Sequence, residues 1–141
     1  MATLERCWPR IVAMSVLTMM LLLALTGCKN AGPHTANVDA TGVYTLVGVN
    51  GKPVPCETKH GDTPMTIKSG VFTINANGTC SSLMIFSVAG QADVQRNVKA
   101  TYTQDGAELT MKWERAGTTR GKVDGNNFTM PNEGMVLSYQ K

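Results

Sequence analysis

Apolar and polar residues alternate along most of the chain after residue 41. Val98, Ala100 and Tyr102 fall on one face of a strand, while Lys99 and Thr101 fall on the other. Because successive side chains of a strand point to opposite faces, this pattern predicts antiparallel strands with one buried and one solvated face. The same period groups further apolar residues on single faces: Tyr44 with Leu46, Met65 with Ile67, Phe72 with Ile74, Leu109 with Met111 and Trp113, Phe128 with Met130, and Met135 with Leu137 and Tyr139.

Four turn dipeptides separate these alternating runs: Asn50-Gly51, Asn77-Gly78, Asp105-Gly106 and Asp124-Gly125. Asn-Gly and Asp-Gly supply the positive φ angles that tight hairpins require, so each predicts a strand reversal. An all-β domain of roughly eight to ten short strands is expected, either a barrel or a sandwich. We favour a small antiparallel up-and-down barrel, because closure removes exposed strand edges.

The first 27 residues have the organisation of a secretory signal peptide: a short basic start, an apolar stretch over 11–25, and small residues before Cys28. A membrane-spanning helix needs roughly 20 apolar residues. This run is shorter and is interrupted by Ser15 and Thr18. Cleavage is therefore expected, and a retained single-span anchor is the disfavoured alternative.

The stretch Leu25-Thr26-Gly27-Cys28 resembles the lipobox of bacterial lipoproteins. The resemblance implies cleavage before Cys28 and attachment of acyl chains, such as palmitate, to that residue. Two or three chains hold a protein on a bilayer lastingly, whereas one chain binds reversibly. Lys29 stands where an Asp commonly signals retention at the inner membrane, so an outer-membrane location in the bacterial envelope is expected. Residues 28–40 are small and polar and are predicted to form a tether to a β domain over 41–141.

This cleavage assigns the four cysteines. Cys7 leaves with the signal peptide and Cys28 is lipidated, which leaves Cys56 and Cys80 in an oxidising compartment. One disulfide between them is the simplest prediction, and two unpaired thiols are the alternative. The bridge would hold the polar segment 53–64 as a lip over one side of the barrel; the alternative, which we favour, is that it only stabilises a small domain.

Two stretches mark the ends of the β domain. They are Gly42-Val43-Tyr44-Thr45-Leu46 with Val49-Asn50-Gly51-Lys52-Pro53-Val54-Pro55, and Gly134-Met135-Val136-Leu137-Ser138-Tyr139-Gln140-Lys141. Both resemble the ends of the small lipocalin-like domains found in many bacterial secreted proteins, which implies a lipocalin-like barrel. Lipocalins carry a tryptophan two residues after the first-strand glycine and pack a last-strand arginine on it. Here Tyr44 takes the first position, and Lys141 is the nearest basic candidate for the second.

An eight-stranded barrel can be filled by side chains or can hold one small ligand. Methionines adapt to irregular shapes, which makes a pliable apolar cavity one interpretation. A solid core is the other, because a domain of ~100 residues needs most of its apolar side chains to fold. The candidate interior residues are Tyr44, Phe72, Met84, Phe86, Tyr102, Met111, Trp113, Phe128, Met130 and Leu137.

Catalytic chemistry finds little support in the sequence. His34 and His60 have no paired acid at informative spacing, and neither has ligand spacing to a cysteine, so no metal or cofactor is expected. The dispersed charges, with a formal net charge of +3, disfavour a nucleic-acid partner.

The sequence predicts a non-enzymatic, membrane-anchored lipoprotein that binds a small apolar or amphipathic molecule or a lipid. The alternative is an interaction or inhibitor module with a solid core that binds another envelope protein.

Overall fold

A computed structural model describes residues 38–141 of the chain. The predicted signal peptide, the lipobox with Cys28, His34 and the tether up to residue 37 lie outside the described residues. The described part forms ten strands, which are β1 Gly42–Val49, β2 Lys52–Pro53, β3 Cys56–His60, β4 Thr63–Ile74, β5 Thr79–Val88, β6 Asp93–Asp105, β7 Glu108–Trp113, β8 Thr118–Asp124, β9 Asn127–Asn132 and β10 Met135–Gln140.

Eight of these strands close into an antiparallel barrel. Strands β4 to β10 pair in chain order, and β10 pairs with β1. The ring closes where residues 42–45 of β1 pair with residues 71–74 of β4. The predicted all-β up-and-down barrel is therefore confirmed. Each of the four Asn-Gly and Asp-Gly reversals is a turn between strands, with a positive φ at its glycine.

Strands β1 and β4 separate beyond this short seam. Residues 48–49 of β1 pair with β2, and residues 63–67 of β4 pair with β3. The two additional strands thus extend the two edges that the separation leaves. A bulge between Ile67 and Ser69 in β4 and another between Leu46 and Gly48 in β1 accompany the change of partner, as expected where a strand bends away from its neighbour.

The hairpin turns define two ends of the barrel. The turns after β4, β6 and β8 lie together with the start of β1 at one end, which we call the closed end. The turns after β3, β5, β7 and β9 lie at the other end, which we call the mouth. This division matters because the side chains fill the two halves differently.

Four aromatic rings form the centre of the core in the closed half. Phe72 and Phe128 have ring centroids 4.7 Å apart, and Tyr139 lies 5.6 Å from Phe72 and Tyr44 5.8 Å from Phe128. All four side chains are fully buried. Offset and tilted packing of this kind adds to the stabilisation that burial alone provides. The aliphatic part of this core consists of Ile74, Leu109, Met111, Val123 and Leu137.

The closed end is covered by the chain that leads into β1. The Tyr44 hydroxyl donates a hydrogen bond of 2.9 Å to the Ala40 carbonyl. The Lys141 ammonium lies 5.0 Å from the centroid of the Tyr44 ring and donates to the carbonyl of Thr41 at 2.9 Å. Lys141, the nearest basic candidate for the lipocalin arginine, thus follows the last strand directly and packs on the ring of Tyr44. It joins the first and last strands by a cation–π interaction.

The last residues of the predicted tether also pack against the barrel. Ala40 is buried, and Val38 contacts the core. The Gln104 side-chain amide donates a hydrogen bond of 2.6 Å to the Val38 carbonyl. The pairings that close the barrel and a continuous buried core lie within the described residues 38–141, so this fragment contains what a domain needs to fold alone.

Gly121 on β8 makes room for the aromatic cluster. A Cβ atom at this position would lie 2.5 Å from Cε2 of Phe128 and 3.2 Å from Cε of Met111. Because close-packed interiors leave no space for an added methyl group, Phe128 can keep its place only beside a glycine.

We expect Gly121→Ala to destabilise the fragment 38–141 by about 2 kcal/mol through overpacking against Phe128, which lowers the melting temperature by roughly 10 °C. Thermal unfolding followed by circular dichroism measures the change. Lys122→Ala, at the exposed neighbouring position, is the matched control and should change stability by about 0.5 kcal/mol or less. Equal melting temperatures for Gly121→Ala and the wild type would show that Phe128 is free to move.

Candidate functional site

A cavity of about 430 Å³ occupies the half of the barrel nearest to the mouth. The aromatic cluster ends below it, so the interior is filled at one end and open at the other. Most of its lining is apolar and consists of Met65, Met84, Phe86, Val88, Val98, Trp113, Ala116, Met130 and Met135. Two wider depressions, of about 670 Å³ and about 590 Å³, are more open to solvent.

The candidate interior residues divide between the core and this cavity. Met84, Phe86, Trp113 and Met130 line the cavity. Tyr102 is half-buried near the closed end, where its hydroxyl donates a hydrogen bond of 2.7 Å to the Asn75 carbonyl. The other five are fully buried in the closed half: Tyr44, Phe72, Met111, Phe128 and Leu137.

The walls of the cavity differ in height. Strand β6 pairs with β5 from residue 93 to residue 101, but it pairs with β7 only from residue 100 to residue 105. Strands β4, β5 and β6 therefore continue past the point where β7 ends, as a wall on one side of the mouth. Residues 93–98 of β6 have no β7 partner, which leaves a side opening next to the turn after β7.

Trp113 separates the core from the cavity. Its ring packs edge-on against Phe72, with centroids 6.1 Å apart and an interplanar angle of 87°. Its indole N–H donates a hydrogen bond to the Thr119 hydroxyl. The ring is thus held by contacts on the core side, and it remains only half-buried because the cavity lies on its other side.

Two hydroxyl groups lie in this apolar region. Ser82 is buried and lines the base of the cavity. The Tyr139 hydroxyl is buried and has no hydrogen-bond partner among residues 38–141. Burial raises the pKa of Tyr139 to about 12, because the phenolate would lose its hydration. Of the two hydroxyl groups, Ser82 belongs to the lining of the cavity, whereas Tyr139 lies in the core and does not line it.

A contact between a histidine and a carboxylate crosses the mouth. Nδ1 of His60, next to the turn after β3, lies 3.2 Å from Oε2 of Glu133 in the turn after β9. The two residues are 73 positions apart, and nothing in the local sequence around either one signals the contact. Both side chains are about half exposed, at 49% and 47%. The pair is a solvated surface contact, in contrast to the buried acid–base pairs typical of catalytic sites.

The predicted disulfide is not formed, and the alternative of two unpaired thiols holds among the described residues. Cys56 on β3 lies opposite Ile67, whereas Cys80 on β5 lies opposite Ile74. Seven residues of β4 separate these positions, which corresponds to about 20 Å along the strand. A bridge requires Cα atoms within about 7 Å. The sequence separation of the cysteines carried no information about this register.

We expect mass spectrometry of the fragment 38–141 to find two free thiols, and reductant to leave its melting temperature unchanged. Cys56 is half-buried and should react first with a thiol reagent. Cys80 should react slowly, because it is buried and burial raises its pKa to about 11, which disfavours the reactive thiolate. Cys56→Ser is the control that assigns the fast phase. A mass matching a bridged pair would contradict this arrangement.

No group of three or more His, Cys, Asp or Glu side chains that could hold a metal ion occurs within residues 38–141. The same residues contain no helix long and apolar enough to cross a membrane.

Fold and cavity together define a small antiparallel β-barrel with an apolar cavity, which we call the cup, at one end. Comparisons with protein-family models, curated proteins and solved structures find no match for the chain.

Proposed function

We propose that this protein is a non-enzymatic binding protein of the bacterial envelope that holds one small apolar or amphipathic molecule in the cavity at the mouth. The observation that carries the proposal is the cavity itself. Its volume of about 430 Å³ falls within the range of roughly 300–1,000 Å³ that is typical of small-molecule sites. Nine of its eighteen lining residues are apolar, and they contribute the larger share of the exposed surface, as is usual for such sites.

The state of the lining side chains supports the same proposal. Met84, Phe86 and Trp113 are half-buried, although they face the interior of the barrel. A ligand in the cup would remove their remaining apolar surface from water, at about 25 cal/mol per Å². The methionines can adapt to its shape. The alternative, an interaction or inhibitor module, assumed a solid core. In a solid core these side chains would pack against one another and leave no cavity.

The place where the chain enters the barrel agrees with a tethered binding protein. Val38 and Ala40 contact the closed end, and the cavity opens at the opposite end. A tether that joins the barrel at Val38 therefore enters it at the end opposite the mouth. We propose that the tether begins at Cys28, lipidated as the lipobox resemblance implies, and that the outer membrane holds the acyl chains.

The binding proposal predicts that Val98→Glu weakens binding of a neutral amphiphile at least about tenfold, because a ligand would then have to desolvate a carboxylate in the cup. Decanol is the probe, and the fluorescence of Trp113 is the readout. Trp113 is the one tryptophan in the fragment 38–141, since the other of the two is Trp8. Asn97→Glu, which adds the same charge at the exposed neighbouring position, is the matched control and should bind as the wild type does.

A wild-type fragment that shows no fluorescence change with decanol, with other neutral single-chain amphiphiles or with apolar dyes would overturn the binding proposal. Equal loss of binding in Val98→Glu and Asn97→Glu would place the ligand outside the cup. Native mass spectrometry of the wild-type fragment, together with organic extraction of the purified protein, then identifies any molecule that co-purifies.

The anchoring proposal predicts that Cys28→Ala in the full chain abolishes labelling by radioactive palmitate in a diderm bacterium. An uncleaved precursor should accumulate, because the modified cysteine is the site of cleavage. Cys7→Ala is the matched control, since the predicted signal peptide carries Cys7 away, and this variant should be labelled and cleaved normally. Normal maturation of Cys28→Ala would exclude the lipobox interpretation while leaving the binding proposal unaffected.

A further inference from the structure

One charged side chain lies on the apolar wall of the cup. Arg96 on β6 pairs in register with Met84 on β5, and the neighbours on its face of the strand are Val94 and Val98. It lines the cavity at the side opening, where β6 has no β7 partner. Arg96 is exposed to solvent there, so its guanidinium group stands at the rim of the cup with valines on either side along its strand.

Two carboxylates, Glu114 and Glu133, and the imidazole of His60 also line the cup. The carboxylate of Glu133 is paired with His60 at 3.2 Å. Glu114 is in no ion pair within residues 38–141, and it also borders the outer depression that Lys99 and Lys112 line. Within residues 38–141, no carboxylate lies within ion-pair distance of Arg96. Arg96 is therefore the one lining cation whose counter-charge the described chain does not provide.

We propose that the molecule held in the cup is a single-chain amphiphile with an anionic head group, a carboxylate or a phosphate, and that Arg96 binds this head. The inference rests on the proposed function and adds the chemical class of the ligand. The head lies at the side opening, in contact with both Arg96 and solvent. The chain lies across the cup against Met84, Phe86, Trp113 and Met130.

The chemistry of the guanidinium group favours this arrangement. Its planar set of N–H donors matches the oxygen atoms of a carboxylate or phosphate in a two-point contact. Hydrogen bonds to charged groups are stronger than those between neutral groups. A neutral head group would gain the apolar contacts of the chain but not this interaction.

The test compares ten-carbon amphiphiles that differ only in their head group, using Trp113 fluorescence of the fragment 38–141. Decanoate and decyl phosphate are the anionic probes, decanol is the neutral probe and decylamine is the cationic probe. We expect the wild type to bind at least one anionic probe about tenfold more tightly than decanol. Whichever anionic probe has the advantage identifies the head group as a carboxylate or a phosphate.

Arg96→Gln should abolish this advantage while leaving the affinity for decanol unchanged. Arg96→Lys keeps the charge but loses the two-point contact, and it should retain part of the advantage. Lys99→Gln removes a cation from the outward face of the same strand and is the matched control, with all affinities as in the wild type. Circular dichroism of each variant verifies the fold.

The outcomes separate this inference from the proposed function. Equal affinity of the wild type for decanol and both anionic probes, or a preference for decylamine, would refute the anionic head group and leave the binding proposal standing. An anionic preference that survives in Arg96→Gln would overturn the role of Arg96. Failure of the wild type to bind any of the four probes would remove both the inference and the proposal on which it rests.

Discussion

The short seam between β1 and β4 is the constraint on which the rest of the structure depends. Four residue pairs, 42–45 with 71–74, close the barrel. Beyond them the two strands separate and take β2 and β3 as new partners. The interior of an eight-stranded barrel can be filled by side chains or can hold one small ligand. Because this barrel closes at only one end, side chains fill one half and a cavity remains in the other. Near the seam the aromatic cluster fills the interior, and away from it the same interior opens into the cup.

The two halves therefore divide stability and binding between them. The closed half contains the buried aromatic rings, Gly121 beside Phe128, and the contact of Lys141 with Tyr44. Such packing uses nearly all of the apolar surface in that half, and it stabilises the fold without a disulfide. The mouth half keeps apolar surface partly in water, which weakens the free protein but lets a ligand gain the corresponding free energy.

The sequence predicted the features that depend on neighbouring residues and missed those that depend on register. Period-two alternation and four turn dipeptides were enough for the strands and the reversals. The contact between Tyr44 and Lys141 followed from a resemblance between chain ends. By contrast, the pairing of Cys56 with Cys80 required knowing which residues of β4 they face. The contact between His60 and Glu133 required knowing which turns share the mouth. Strand spacing and closure decide both, and single-sequence patterns do not encode them.

Residues along the open edge of β6 both face a solvent-exposed strand edge and border the cup. Residues 93–98 lack a neighbour on the β7 side, and an exposed strand edge invites pairing with another chain. Charged residues along an edge oppose such pairing, and here Asp93 is held by Lys68 at 2.6 Å while Arg96 and Lys99 follow on the same strand. Arg96 alone among these lines the cup. Arg96 is exposed, so its charge can protect the edge in the free protein, and the same cation is the one that we propose binds a head group when the cup is occupied.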